Sequence, residues 1–165
     1  MHILFTRRTA TVEHHKGQVS FPGGSSDEAD TNIVATALRE AREEVGIDPR
    51  AVSVLGLFDD FQTPSGFCIT PVIGYSERIP ALTPNEEEVE DVFSVPAAFF
   101  LNPGNEHVEH RSLGEKQYEL YRYRYGTHEI WGATAAILRT LLRTMSLEFD
   151  GSQHKLESGS RNIGT

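Results

Sequence analysis

The sequence predicts an α/β sandwich, a sheet held between helices, on three observations. β-rich runs stand on both sides of a segment with helical periodicity, and a second helical stripe closes the pattern. The chain has 165 residues, 38% of them hydrophobic and 24% charged, enough apolar material for one core and too little charge for a disordered chain. Residues 1–149 are expected to form a single domain. Residues 150–165, rich in Gly, Ser and polar side chains, are expected to be a flexible tail.

Ile3 to Thr6 reads as a strand, and Gln18 to Phe21 as another that stops at Pro22-Gly23-Gly24. From Ile33 to Val45 the period turns helical, with Val34, Leu38, Ala41 and Val45 on one stripe. Asp30 or Thr31 can cap its start, and Gly46 sits where a glycine ends a helix. Val52 to Phe61 and Phe67 to Tyr75 read as strands joined across Gln62-Thr63-Pro64-Ser65-Gly66, and Val89 to Val95 as a strand ended by Pro96. His107 to Leu113 and Lys116 to Tyr125 form a hairpin across Gly114-Glu115. Tyr121, Tyr123 and Tyr125 lie on one face of its second strand, Arg122 and Arg124 on the other. Ile130 to Met145 reads as the closing helix, its stripe Ile130, Thr134, Ile137, Leu141 and Met145 widened by Leu138 and Leu142. Gly132 and the small residues after it would let this helix lie close to a sheet. Trp131 at its start and Cys68 in an apolar strand are expected in the core.

Composition narrows the function. Fifteen Lys and Arg against 24 Asp and Glu give a net charge of -9, which opposes general binding to nucleic acid or anionic membrane. A single cysteine excludes an internal disulfide framework and a Cys-rich zinc site. No apolar run approaches the ~20 residues of a membrane span, and the first residues have no secretory h-region, so a cytoplasmic protein is expected.

The chemical signal lies in Arg39-Glu40-Ala41-Arg42-Glu43-Glu44-Val45-Gly46-Ile47. On a helix Glu40, Glu43 and Glu44 fall within an arc of about 100°, and their mean direction is roughly 120° from the apolar stripe. As plain surface this is unfavourable. Glu40 and Glu44 are like charges at i,i+4, and Glu43 and Glu44 stand near the C-terminus, where the helix dipole prefers cations. A divalent cation removes the repulsion, and clustered carboxylates are hard oxygen ligands suited to Mg²⁺, Mn²⁺ or Ca²⁺. Taken alone, the helix is equally readable as a solvated acidic face. Gly23 and Gly24 ahead of it permit the close backbone approach that phosphate-cradling loops need, although a Gly-Gly pair by itself is an ordinary turn. Together, loop and helix suggest a metal-assisted site for a phosphorylated substrate.

These residues resemble the Nudix box, G-x5-E-x7-R-E-U-x-E-E-x-G-U with U aliphatic. Gly24 matches the first glycine, Asp30 stands in for the first Glu, and Arg39 to Ile47 match the rest. Eight residues rather than seven separate Asp30 from Arg39. A longer loop with Asp at that position is similar to the coenzyme A pyrophosphatase (CoA diphosphatase) branch. The upstream text also resembles that branch, whose extra motif reads L-L-T-x-x-S-x-x-[LM]-[RK]-x-x-x-G-x-x-[AS]-F-P-G-G. Leu4 to Thr9 and Gly17 to Gly24 align with it without a gap, while Glu13 reverses the charge of its basic residue. Ser65-Gly66-Phe67, Ile69 to Tyr75, Val92 to Pro96 and Ile130 to Ala135 look like the same subfamily.

The resemblance implies a single Nudix hydrolase domain, an α/β/α sandwich with a mixed β-sheet between helices. Relatives carry one more strand before the Leu-Leu-Thr segment, so either the start is set late or the sheet lacks its first strand. It also implies Mg²⁺ or Mn²⁺ as cofactor. Glu40 and Glu44 would be the main metal ligands, Glu43 a third or water-mediated one, and Arg39 an orienting partner for the carboxylates. The substrate would be a small nucleoside diphosphate, with coenzyme A giving 4′-phosphopantetheine and adenosine 3′,5′-bisphosphate. Arg7, Arg8 and Lys16 are candidate phosphate contacts near Gly23 and Gly24, whose amides line the loop. His14 and His15 are read as polar loop residues. The general base stays open: Glu86, Glu87, Glu88 and Glu90, and Glu106 and Glu109, read as solvated acidic faces, and a box Glu can serve equally. Glu13 keeps two alternatives in play. One is a Nudix hydrolase for ADP-ribose, NADH or a nucleotide, and the other is an inactive nucleotide-binding module.

Overall fold

The computed structural model describes residues 1–10, 17–64, 66–78, 81–113 and 116–158, with backbone alone at 113, 116 and 146–158. In chain order these form β1 (His2–Arg8), β2 (Val19–Ser20), α1 (Ile33–Val45), β3 (Ser53–Leu57), β4 (Phe61–Gln62), β5 (Cys68–Ile69) and β6 (Val72–Tyr75). They continue as β7 (Val89–Pro96), α2 (Ala97–Leu101), β8 (His107–Leu113), β9 (Lys116–Tyr125), β10 (His128–Trp131) and α3 (Gly132–Ser158). Strands thus stand on both sides of α1 and a helix closes the described chain, as the sequence predicts, in a mixed α/β domain.

The strands pair in the orders β2-β1-β7, β10-β9-β8, β3-β6 and β4-β5, and every described ladder is antiparallel. β1 is the spine: its ladder with β7 runs from His2↔Pro96 to Arg8↔Val89, with a register shift between Arg7 and Arg8. Phe5, fully buried on β1, stacks on Phe21 and Phe93 and meets Phe100. The core continues through Val19, Val95, Tyr123, Ile130, Ala135, Leu138 and Leu142, so it joins the β1–β7 sheet, the β8–β10 sheet and α3. His128 stacks on Phe93 with centroids 3.7 Å apart, and Thr134 Oγ1 donates to the Val19 carbonyl at 3.1 Å.

Several sequence expectations shift at element boundaries. The run from Val52 to Phe61 divides into β3 and β4, and that from Phe67 to Tyr75 into β5 and β6. Pro71 has no N–H for a continuous ladder, and its carbonyl instead accepts from Phe58 N–H at 2.9 Å. Ile130 and Trp131 belong to β10, not to the closing helix, which starts at Gly132. Gly132 turns strand into helix at φ +64°, a conformation that side chains with a Cβ rarely adopt. Pleating puts Ile130 inside and turns Trp131 outward, 37% exposed, so Trp131 is not a core residue. Cys68 is exposed as well, because the β4–β5 ladder joins just two residue pairs and carries no residue of the core. α2, five residues long, is too short to show a period in sequence. α3 continues as helix to Ser158, past Asp150 where composition predicts a tail. Within that stretch Gly151 is a single helix-weakening residue worth about 1 kcal/mol. Gly114-Glu115, Ser65 and residues 159–165 lie outside the described residues.

β3 is exposed at four of its five positions, Ser53, Val54, Leu55 and Leu57. Among the described residues its one ladder partner is β6.

Candidate active site

α1 begins and ends as its chemistry requires. Asn32 caps it, its side-chain oxygen accepting Ala35 N–H at 3.0 Å, and Gly46 closes it in the left-handed conformation. Asp30, expected as a cap, is engaged elsewhere. Its carboxylate accepts both Nε and Nη2 of Arg39 at 3.0 Å, Thr36 Oγ1 at 2.9 Å and Asp27 N–H at 2.9 Å. These bonds, the Arg39 fork foremost, hold the Asp30 carboxyl well below the usual carboxylate range.

Arg39 links loop and helix. Besides Asp30 it donates to the Ser25 carbonyl at 3.0 Å, to Glu40 Oε1 at 2.9 Å and to Glu43 Oε2 at 2.8 Å. The Asp30 carboxylate, with help from Glu40 and Glu43, raises the Arg39 pKa further above its ordinary value. The loop bearing Gly23 and Gly24 is therefore fastened to the helix by one guanidinium. Just ahead of Asp30 the loop makes a turn from Asp27, closed by Asp30 N–H on the Asp27 carbonyl at 3.0 Å.

The face α1 turns inward is not the one its apolar stripe predicts. Its buried positions are Thr36, Glu44 and Val45, while Val34, Leu38 and Ala41 are half-buried. Leu38 instead helps line an open concavity of ≈ 680 Å³ with Ala35, Arg39, Arg42, Glu43 and Pro49. The carboxylate face is covered because β1 and the Gly-Gly loop lie over it. Glu44 is 2% exposed. Gly23 N–H donates to its Oε2 at 3.1 Å and Arg8 Nη1 to its Oε1 at 3.3 Å. Burial pushes the Glu44 carboxyl up to about 7, against the lowering effects of Gly23 and Arg8 and with the charges of Glu40 and Glu88 adding to the rise.

Glu40 packs on the neighbouring glycine. A Cβ on Gly24 would fall on its carboxyl carbon and both oxygens, so this position admits no side chain without displacing Glu40. Glu40 and Glu44 thus stand side by side at Gly23-Gly24. Glu43 does not join them: its side chain is 56% exposed and lies across the Arg39 guanidinium. Arg7 is also apart, paired with Glu90 at 3.2 Å. Lys16, Glu13, His14 and His15 lie outside the described residues.

The loop whose Glu86, Glu87, Glu88 and Glu90 the sequence reads as a solvated acidic face completes the surroundings. Thr83 N–H and Asn85 N–H donate to the carbonyls of Val45 and Glu44, both at 2.9 Å, while Thr9 N–H donates to the Glu88 carbonyl at 2.9 Å. Asn85 Nδ2 holds Glu88 Oε1 at 3.3 Å. Glu88 is half-buried, whereas Glu86, Glu87 and Glu90 are exposed. The available signal was Asn85 three residues before Glu88, a side chain suited to organising a turn. Glu106 is no solvated face either, since it accepts Tyr123 Oη at 2.9 Å and Arg139 Nε at 2.8 Å.

Among the described residues no three His, Cys, Asp or Glu side chains converge as a ready-made metal cage. Two carboxylates nevertheless fit Mg²⁺ or Mn²⁺. The donors are hard oxygens, and Mg²⁺ typically takes one or two protein carboxylates and keeps waters or substrate phosphates for its other positions. The missing side chain at Gly24 leaves the Glu40 carboxylate its room beside the loop.

Residues 1–117 match the NUDIX domain family. A protein described as uncharacterized Nudix hydrolase NudL from Photorhabdus laumondii is 40% identical over 145 residues, covering 88% of this chain and 78% of that relative. The NudL of Pectobacterium atrosepticum is 40% identical over 146 residues, covering 87% of this chain and 75% of its own length. That of an Escherichia coli strain is 37% identical over 139 residues, covering 84% and 72%. Nudix hydrolases act on small nucleoside diphosphate derivatives and generally use divalent metal ions, usually Mg²⁺ or Mn²⁺. With the box residues gathered on α1 and its preceding loop, this chain belongs to the Nudix hydrolase family.

Proposed function

We propose that this chain hydrolyses the diphosphate bond of coenzyme A or its derivatives, releasing 4′-phosphopantetheine and adenosine 3′,5′-bisphosphate. The observation that carries the hydrolytic part is the pair Glu40 and Glu44, set side by side against Gly23-Gly24. The substrate assignment is supported by the motif from Leu4 to Gly24, in which Arg8 and the Gly-Gly loop occupy one site.

In this reading Glu40 and Glu44 would hold the divalent cation, and a cation bound there would supply Lewis-acid polarisation of the diphosphate and a more acidic water. Glu43, facing solvent from the Arg39 side, adds charge at the rim or binds through water. Arg39 orients Glu40 and keeps the loop on the helix. Gly23 N–H fixes the rotamer of Glu44, so the carboxylate is aimed before any ligand arrives. Arg8 supplies the positive charge on Glu44, as Arg39 does on Glu40. Arg7 pairs with Glu90, and Lys16 lies outside the described residues.

A substrate panel tests the proposal. The purified chain with Mg²⁺ or Mn²⁺ is given coenzyme A, ADP-ribose and NADH in parallel, and products are identified by mass. Adenosine 3′,5′-bisphosphate from coenzyme A, well ahead of turnover of the others, is expected. Preferred turnover of ADP-ribose or NADH would keep the Nudix chemistry and discard the coenzyme A assignment.

A further inference from the structure

Glu44 poses an electrostatic problem that the metal-free chain solves with a single side chain. Its carboxylate is almost fully buried, and among the described residues its one cationic partner is Arg8, 3.3 Å from Oε1. Arg8 is the last residue of β1, immediately after the register shift that follows Arg7. Bulges of this kind re-aim side chains. Arg7 turns to Glu90 on β7, and Arg8 reaches Glu44 on α1. The Arg8 side chain is still 26% exposed, so the guanidinium stands between the buried carboxylate and solvent. Oε2 accepts Gly23 N–H and Oε1 accepts Arg8, so a cation arriving at Oε1 competes with Arg8. Two cations on one carboxylate oxygen repel strongly where water is excluded.

We propose that Arg8 is the resident counter-cation of Glu44 in the metal-free protein, and that a divalent cation at Glu44 releases it to bind a substrate phosphate. The inference rests on the metal-dependent reading above. Metal and diphosphate binding are then coupled through Arg8: the released guanidinium strengthens phosphate binding, and phosphate, by drawing Arg8 away, strengthens metal binding.

The test measures Mn²⁺ binding without substrate, by calorimetry or electron paramagnetic resonance at pH 8.5, for the wild-type chain, Arg8→Gln and Glu44→Gln. Arg8→Gln is expected to bind Mn²⁺ about tenfold more tightly, the scale of one removed charge-assisted bond. At saturating Mn²⁺ it is expected to bind ADP about tenfold more weakly. Unchanged or weakened Mn²⁺ binding by Arg8→Gln would make Arg8 a fixed anchor of Glu44 and overturn the proposal. A second measurement needs no variant. In the wild-type chain, Mg²⁺ alone is expected to shift the Arg8 Nε–H resonance, and an unmoved resonance at saturating Mg²⁺ overturns the proposal equally. Wild-type Mn²⁺ binding no better than that of Glu44→Gln would instead remove the metal-dependent reading itself.

Discussion

Glu44 shows how one side chain carries both a stability cost and a function. Its carboxyl, raised by burial from 4.5 to about 7, holds a proton in the folded chain at pH values where the unfolded chain has released it. Its contribution to stability is therefore complete below about 4.5 and is lost as the pH rises through about 7. Glu44→Gln cannot ionise, so in urea melts its stability relative to the wild type is expected to improve by about 2 kcal/mol between pH 5 and pH 8. A difference independent of pH would contradict the burial argument. Gly24 makes a steric claim at the same scale. Gly24→Ala sets a methyl group on the Glu40 carboxylate and is expected to lower turnover by about 10²-fold while the melting temperature changes little, since the loop lies at the surface. Full activity would mean that the Glu40 position is not used.

At the scale of elements, α1 was the most legible part of the chain. Its bounds, Ile33 to Val45, and its closing Gly46 follow from periodicity and end signals. Its orientation did not follow. Val34, Leu38 and Ala41 predict a buried apolar stripe, yet Thr36 and Glu44 are the positions buried beside Val45, because Arg8 and Gly23 come from segments distant in sequence. A helical wheel contains no information about what covers it. The same reason explains Trp131: local pattern continues a helix through it, whereas pairing with Arg122 on β9 makes it the end of a strand. β3 is the element with least cover, with Leu55 67% and Leu57 55% exposed and a single described ladder. Exposed apolar strands of this kind favour association. Leu55→Thr with Leu57→Thr is expected to reduce binding of a hydrophobic dye and aggregation on heating at no more than about 0.5 kcal/mol of stability. A large loss of stability would show that β3 is buried in solution.

For the whole molecule, the core and the site share β1. Phe5 on this strand meets Phe21, Phe93 and Phe100, and three residues later Arg8 reaches Glu44. Phe5→Ala is expected to cost about 4 kcal/mol, within the range for a fully buried aromatic, measured by chemical denaturation. A cost under about 1 kcal/mol would place the core elsewhere. The box residues could be found in sequence because their types are dictated by chemistry at short range along one loop and helix. Glu88 was visible only as one of four acidic residues read as a solvated face: its three neighbours mask the one that folds inward, and Asn85, which holds it, comes from a loop far along the chain. The central claim is that Glu40 and Glu44 at Gly23-Gly24 form a metal-dependent site for diphosphate hydrolysis. Its most direct test is coenzyme A turnover by the wild-type chain and Glu44→Gln side by side, with Mn²⁺ and with chelator. The account predicts release of adenosine 3′,5′-bisphosphate that needs Mn²⁺ and falls by at least about 10³-fold in Glu44→Gln. Release that is indifferent to the chelator, or equal in the two proteins, would contradict it.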